Sequence, residues 1–378
     1  PWFQIKDLQE KHDLYCLSAN FTLYCALSAR VHGIISGLSE ECEQYSCDES
    51  FVSLAGYPGN QAERVQRVRD RILRWTGVPT GAGLGTTKTI AKLGSHISKA
   101  AWRKPGSYPP EYSGLCDLTS VNAGVLQDCM ARTAVKEVWG VGPAFGKRLA
   151  ECGVITALDL ARMDGRYARQ QFGVTLERTI RELNGIACIP VESQPQPRQQ
   201  VAYTRSLGQP VSGRQDLMDI GGNFAEHLSI KIRTRASVTD KVMVFAMSSP
   251  FRPGPRFYRS MVVELPRATN DTRTIVQAAR KGLEAIYADG YRLVKVGVML
   301  LNLTDAATAD AQSDFAFEED AGADRASHLM MAMDDINGRF GAHTVHMAST
   351  QPQRRVQRQQ SKCPDYLTNW SQVPLVRA

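Results

Sequence analysis

The 378-residue sequence predicts an α+β protein of several domains, and three observations carry that prediction. Segments with helical spacing alternate with short strand-like runs over the first hundred residues, as in a layered α/β arrangement. A Pro- and Gln-rich stretch, "IPVESQPQPRQQ" (189–200), then interrupts the chain. Beyond it the elements follow the order β-α-β-β-α-β, which predicts a small four-stranded sheet backed by two helices. A chain of this length exceeds one compact core, so two to four domains are expected.

Taken in order, "NFTLYCALSARVHGIISGL" (20–38) places Leu23, Leu27 and Ile34 at helical spacing. Residues 43–55 read as strand, turn and strand, because apolar, aromatic and β-branched residues alternate there. "NQAERVQRVRDRILRWTG" (60–77) is an amphipathic helix stopped by Gly77. "VPTGAGLG" (78–85) is a short buried strand running into a turn, and "TTKTIAKLGSHISKAAWRK" (86–104) is a helix. Residues 117–189 read as wholly helical. After the linker come a strand in "QVAYTRSLGQ", a helix over 214–236, strands over 241–249 and 258–266, a helix over 271–290 stopped by Gly290, and a strand over 291–303. From 305 the chain turns Ala- and Asp-rich and later Gln- and Arg-rich, which predicts a mobile or partner-dependent tail.

Composition narrows the function classes. No apolar run approaches the roughly 18 residues that a membrane span needs. A net charge of +7 is a mild pointer to a polyanionic partner. The nine cysteines are scattered and form no C-x-x-C pair, so neither a disulfide framework nor a zinc site is expected, and a reducing cytoplasm fits. His343 and His346 lack a nearby Cys or carboxylate and read as structural or solvent-facing.

Three stretches carry chemistry. "VWGVGPAFGKRLAECGV" (138–154) has the layout of a helix-hairpin-helix, with Gly140 and Gly142 at a tight turn and Pro143 in a first helical turn. Glycines allow close approach to a phosphate, the helix N-terminus attracts the anion, and Lys147 and Arg148 add positive charge. Such a device grips nucleic-acid backbone without reading bases; an ordinary glycine-closed turn is the plainer alternative. In "TKTIAKLGSHISK", Lys88, Lys92 and Lys99 recur at intervals of four and seven and so lie near one side of a helix. Such a row can hold a triphosphate, although a solvated basic face is the more frequent reason for lysines at this spacing.

The third stretch is "YSCDES" (45–50). Adjacent carboxylates Asp48 and Glu49 would point to opposite faces of a straight strand and converge only at a hairpin tip or bulge. Convergent carboxylates repel unless a cation sits between them, which points to Mg²⁺; a solvated Asp-Glu dipeptide is the alternative. Metal-assisted phosphoryl transfer needs more oxygen ligands than two, so a third carboxylate is expected from elsewhere. In the last sheet, Arg205 and Ser206 of "YTRSLG", with Arg252, Arg256 and Arg259 among Phe257 and Tyr258, are candidate phosphate contacts.

Together these motifs resemble Y-family translesion DNA polymerases, most closely the UmuC type, the catalytic subunit of the bacterial SOS polymerase. The resemblance spans nearly the whole chain. It implies a partial right-hand polymerase: 1–20 a remnant of the fingers, 21–118 the palm, 119–189 the thumb with its helix-hairpin-helix, 190–200 a linker, 201–304 the little-finger domain and 305–378 a C-terminal tail. By resemblance, Asp48 and Glu49 are two of three carboxylates that bind Mg²⁺, and Lys99 contacts the incoming dNTP. Gly140, Gly142, Lys147, Arg148, Arg205 and Ser206 contact primer-template DNA.

The implied activity is error-prone, template-directed nucleotidyl transfer in the SOS response, with a UmuD-type accessory dimer and a RecA-type filament as implied partners. The strand that carries the first metal carboxylate in the family, and the fingers residues that follow it, would precede Pro1. A chain of this extent is therefore expected to bind DNA and to polymerise poorly or not at all, and a DNA-binding remnant without catalysis is the alternative. "QSDFAF" places Gln312 and Phe315 as in a sliding-clamp motif, with Ala316 where an aromatic is usual, so the implied clamp contact is degenerate.

Overall fold

A computed structural model describes residues 2–194, 196–308, 321–350, 362–367, 369–373 and 375. The chain divides into two compact units, residues 1–195 with 362–378, and residues 196–361.

The first unit opens with helices α1 (Trp2–His12) and α2 (Phe21–Ser36). Strands β1 (Cys42–Gln44) and β2 (Ser50–Val52) then form an antiparallel hairpin, with Cys42 opposite Val52 and Gln44 opposite Ser50. Helix α3 (Gln61–Thr76) begins where the Asn60 side chain accepts from the Glu63 amide and ends at Gly77, whose φ of 71° places it in the left-handed region. Strand β3 (Ala82–Leu84) leads through Thr87, which caps the next helix by accepting from the Ile90 amide, into α4 (Lys88–Arg103). Gly83 and Gly85 let α4 lie directly on this strand, because a Cβ at Gly83 would stand 2.1 Å from the Ser95 amide nitrogen. β3 pairs in parallel with β4 (Leu115–Asp117), a strand in a stretch to which the sequence reading assigned no element and which ends where the helical reading begins.

Helices α5 (Ala123–Arg132), α6 (Pro143–Glu151), α7 (Ala157–Arg162), α8 (Gly165–Phe172) and α9 (Val174–Leu183) follow. They share one core with α4, in which Ile97, Leu149, Leu160 and Leu183 are buried. Glu182 of α9 is the unusual member, 0 % exposed with a carboxylate inside the fold. It accepts from the Thr89 amide and hydroxyl at 2.9 and 2.8 Å and from the amides of Cys188 and Ile189 at 3.0 and 2.9 Å. One side chain thereby holds the N-terminus of α4, the end of the helical layer and the start of the linker segment. The C-terminal stretch returns to this unit: Ser18 bridges to Lys362, and the Asn20 amide group donates to the Cys363 carbonyl at 3.2 Å. All nine cysteines are free thiols, and burial pushes the Cys116 thiol up to about 12.

In the second unit, β5 (Val201–Val211), β6 (Ser237–Ser248), β7 (Tyr258–Thr269) and β8 (Leu293–Leu301) pair antiparallel in the order β5-β8-β6-β7. A two-residue β9 (Thr304–Asp305) adds to β6, giving five strands where four were expected. Helices α10 (Arg214–Arg233) and α11 (Thr272–Ile286) pack on one face, where Leu228, Val244, Leu283 and Val298 form a core. The period of two leaves the opposite face open.

Within the tail, read as mobile or partner-dependent, residues 321–350 are ordered against this unit. Helix α12 (Ala321–Phe340) docks within this unit: Arg233 makes a forked pair to Asp334 at 2.8 Å to each oxygen, and Met330 is 1 % exposed. Farther along, buried Thr350 donates to the Glu226 carboxylate, and the His343 ring lies 4.8 Å from that of His227. These partners are about a hundred residues apart in sequence, where no local pattern announces them. Gln312 and Phe315 lie outside the described residues.

Candidate active site and nucleic-acid interface

The connection between β1 and β2 brings the acidic pair to a hairpin tip. Its backbone closes tightly, with the amides of Tyr45 and Ser46 both donating to the Glu49 carbonyl at 3.0 and 3.1 Å. The Ser46 hydroxyl donates to the Asp48 carboxylate at 2.7 Å. That bond, reinforced by the nearby Lys99 charge, holds the Asp48 carboxyl below the usual carboxylate range. From the α2 side, Ser28 donates to the Cys47 carbonyl and His32 bonds Ser50 at 2.6 Å, fixing the hairpin to the helix.

The lysine row of α4 faces this hairpin. Lys92 donates to a Glu49 oxygen at 2.7 Å, and the Lys99 ammonium stands 3.7 Å from the same oxygen. Lys88, 8 % exposed, pairs with Glu43 at 2.6 Å and also donates to the Pro190 carbonyl at 3.2 Å. Its ammonium lies 4.4 Å from the centroid of the Phe51 ring and 5.7 Å from that of Trp139. Tyr45, Phe51 and Trp139 pack edge to face or tilted, and the Trp139 indole donates to the Tyr45 hydroxyl at 3.1 Å. This Lys88–Glu43 pair with its aromatic surround escaped the sequence reading. The i, i+4 relation of Lys88 to Lys92 was its visible signal, but the ring partners come from two distant segments.

The hard oxygens of Asp48 and Glu49, with Asp48 held ionised by Ser46, suit Mg²⁺ in charge and ligand type. Glu43, committed to Lys88, does not join them, and no group of three or more His, Cys, Asp or Glu side chains placed to hold a metal ion occurs among the described residues. Completing the coordination of a metal there requires further oxygens.

In the helical layer, Gly140 has φ 89°, a conformation that a side chain disfavours, and Gly142 stands extended as the N-cap of α6 with Pro143 at its first position. A Cβ on Gly142 would meet nothing within 4 Å, so this turn faces open space. Lys147 is exposed and forms no ion pair among the described residues. Arg148 is engaged differently: its guanidinium donates to the Gln171 carbonyl at 2.7 Å and lies 4.5 Å from the Phe172 ring, bracing α8.

In the second unit Arg205 and Ser206, adjacent on β5, point to opposite faces. Arg205 pairs with core-side Val296 and rests 4.7 Å from the Tyr203 ring. Ser206 pairs with Lys295 on the open face. There the ring of Phe245 lies over Gly297, where a Cβ would come within 2.2 Å of it. Arg252, Arg256 and Arg259 are all exposed around the turn before β7.

The family model described as "impB/mucB/samB family" matches residues 1–96, its C-terminal domain matches 198–315, and a domain of unknown function, DUF4113, matches 327–376. The chain is 33% identical to Protein ImpB of Salmonella typhimurium, covering 100% of this chain and 87% of that one. It is 30% identical to Protein UmuC of Salmonella typhimurium strain LT2, again over 100% of this chain and 87% of the relative. Among solved structures, a Y-family DNA polymerase chimera shares the fold with a TM-score of 0.62 at 17% identity, over 79% of this chain and 81% of the other.

Proposed function

The chain belongs to the Y-family DNA polymerases, in the group of ImpB, MucB and UmuC, and from that premise we propose that it is an error-prone translesion polymerase of the SOS response. The reaction joins a dNTP to a primer 3′-hydroxyl opposite a template strand. The observation that carries the proposal is the acidic hairpin tip set against the lysine row of α4, an anionic and a cationic wall within one small site.

Asp48 and Glu49 are the residues to hold Mg²⁺, which when bound supplies the charge that activates the attacking oxygen and stabilises the leaving one. Ser46 fixes the Asp48 carboxylate, and Lys92 fixes Glu49 through one oxygen while leaving the other available. Lys99, half exposed beside that pair, meets the triphosphate of the dNTP. The Gly140–Gly142 turn, the α6 N-terminus and Lys147 hold a DNA backbone, with Arg148 acting mainly to brace α8 against α6. Ser206 on the open sheet face and Arg205 at its edge strand complete the grip on primer-template DNA. The implied accessory dimer and recombinase filament fit the same membership, and the cytoplasm is where these partners meet.

A second reading, occupancy of primer-template DNA without chemistry, is favoured by one observation: no third carboxylate joins Asp48 and Glu49 among the described residues. Single-nucleotide primer extension with Mg²⁺, run beside DNA-binding anisotropy, separates the two. The proposal expects extension that disappears in Asp48→Ala/Glu49→Ala while DNA affinity persists. Extension unchanged in that variant refutes the assigned residues, and tight binding with no extension selects the second reading.

A further inference from the structure

On the first unit, α2 and α3 border an open surface groove of about 420 Å³ to which neither the acidic hairpin tip nor the lysine row contributes a residue. It is lined on one side by Gly33 and Ile34 of α2 and Gly37 just past its end, and on the other by Arg71 and Trp75 of α3. Neither glycine is there for backbone reasons, since neither has a positive φ. Nor does packing demand them: a Cβ on Gly33 would meet nothing within 4 Å, and one on Gly37 only the Ile34 carbonyl at 3.4 Å. Glycine in mid-helix costs about 1 kcal/mol relative to alanine. What the absent side chain at Gly33 leaves is the groove itself.

The chemistry of the walls is mixed. Trp75 is 64 % exposed, a large ring left in water beside an apolar groove, and the Arg71 guanidinium lies 5.5 Å from its centroid. Arg30 stands on the rim. Neither Arg30 nor Arg71 forms an ion pair among the described residues, whereas Arg64 and Arg69 of the same α3 are spent on backbone carbonyls at 2.9 Å. An apolar seat between helices flanked by two unpaired guanidinium groups complements an apolar side chain flanked by carboxylates.

We propose that the α2–α3 groove docks a short acidic segment of a partner protein, seating one apolar side chain over Gly33 against Trp75 and two carboxylates on Arg30 and Arg71. Exposed tryptophan and arginine are the residue types that dominate protein–protein recognition. Nucleic acid would use the arginines and could stack on the indole, but it offers no apolar knob for the groove.

The test pans a display library of random peptides about twelve residues long on the full chain, with counter-selection on Gly33→Trp, which puts an indole into the groove from a position whose Cβ meets nothing within 4 Å. Recovered peptides should carry Asp or Glu around a Phe, Leu or Trp. A labelled example should bind the chain at least about tenfold more tightly than either Gly33→Trp or Arg71→Glu, a difference of one decade in Kd. Unchanged thermal unfolding of the two variants shows that the groove, not the fold, was altered. Recovery of no discriminating peptide, or of peptides without carboxylates, overturns the proposal. Binding of a labelled oligothymidine that falls in the same two variants overturns it in favour of a nucleic-acid surface.

Discussion

Glu182→Ala is the substitution that most directly tests how the first unit is joined. The side chain is fully buried and receives four hydrogen bonds, three of them from backbone amides of Thr89, Cys188 and Ile189. Truncation orphans all three amides. An unsatisfied buried donor costs about 1–3 kcal/mol. The Thr89 amide is buried and bears the upper part of that range, while those of Cys188 and Ile189 are partly buried and can recruit water. The total comes to about 3–5 kcal/mol. For a unit of this size that is a fall in Tm of about 10 °C, at roughly 2–4 °C per kcal/mol.

Tryptophan fluorescence during denaturation is the appropriate assay. All five tryptophans, at 2, 75, 102, 139 and 370, belong to this unit and none to the other, so the signal reports on it alone. Thr89→Val, which removes only the hydroxyl donor, should cost about 1 kcal/mol. A loss below about 1 kcal/mol for Glu182→Ala would refute the idea that this carboxylate holds the α4 N-terminus to the segment after α9.

Three further outcomes follow from the site and the sheet. Ser46→Ala should raise the Asp48 pKa toward its ordinary value, since the serine hydroxyl is the chief cause of its depression; a carboxyl titration by NMR reads this. A carboxyl lowered on folding adds stability above its unfolded value, 3.8 for Asp48, and gives it up as pH falls through the folded value; the serine variant should narrow that acid window. Gly297→Ala forces a methyl group against both the Phe245 ring and the Thr204 methyl and should cost about 1–3 kcal/mol, only partly restored by adding Phe245→Leu, as measured by circular dichroism melting. Lys88→Met strands Glu43 with only the Glu192 amide as donor and should destabilise the first unit by about 3 kcal/mol, again by fluorescence.

The sequence made local features legible and distant pairings opaque. The β1–β2 hairpin could be read because alternation over 43–55 has a period of two, and the place of Asp48 and Glu49 at its tip follows from that turn. The four long strands and two helices of the second unit were equally readable from periodicity, although α11 ends at Ile286 and does not run on to Gly290. Strand β4 was missed because its three residues, Leu115–Asp117, stand without a flanking alternation, and its parallel partner β3 lies more than thirty residues earlier. The partners of the lysine row could not be read at all: Lys88 lies 45 residues from Glu43 and Lys92 lies 43 from Glu49. The docked state of α12 was hidden for the same reason, resting on Arg233–Asp334 across 101 residues. Arg148 looked like a phosphate contact because spacing shows which helix face a residue occupies, but not that the Gln171 carbonyl is waiting there.

The return of residues 362–378 to the first unit, through Ser18 and Asn20, makes the second unit an insertion rather than an appendage. A chain entering at 196 and leaving at 361 is leashed twice. One proteolytic cut within 190–200 therefore does not set the sheet unit free; two covalent pieces remain held together by the contacts around Cys363. Separating the two units by genetic truncation would accordingly need both crossings cut, and a construction that removes only the linker would be expected to behave as one particle.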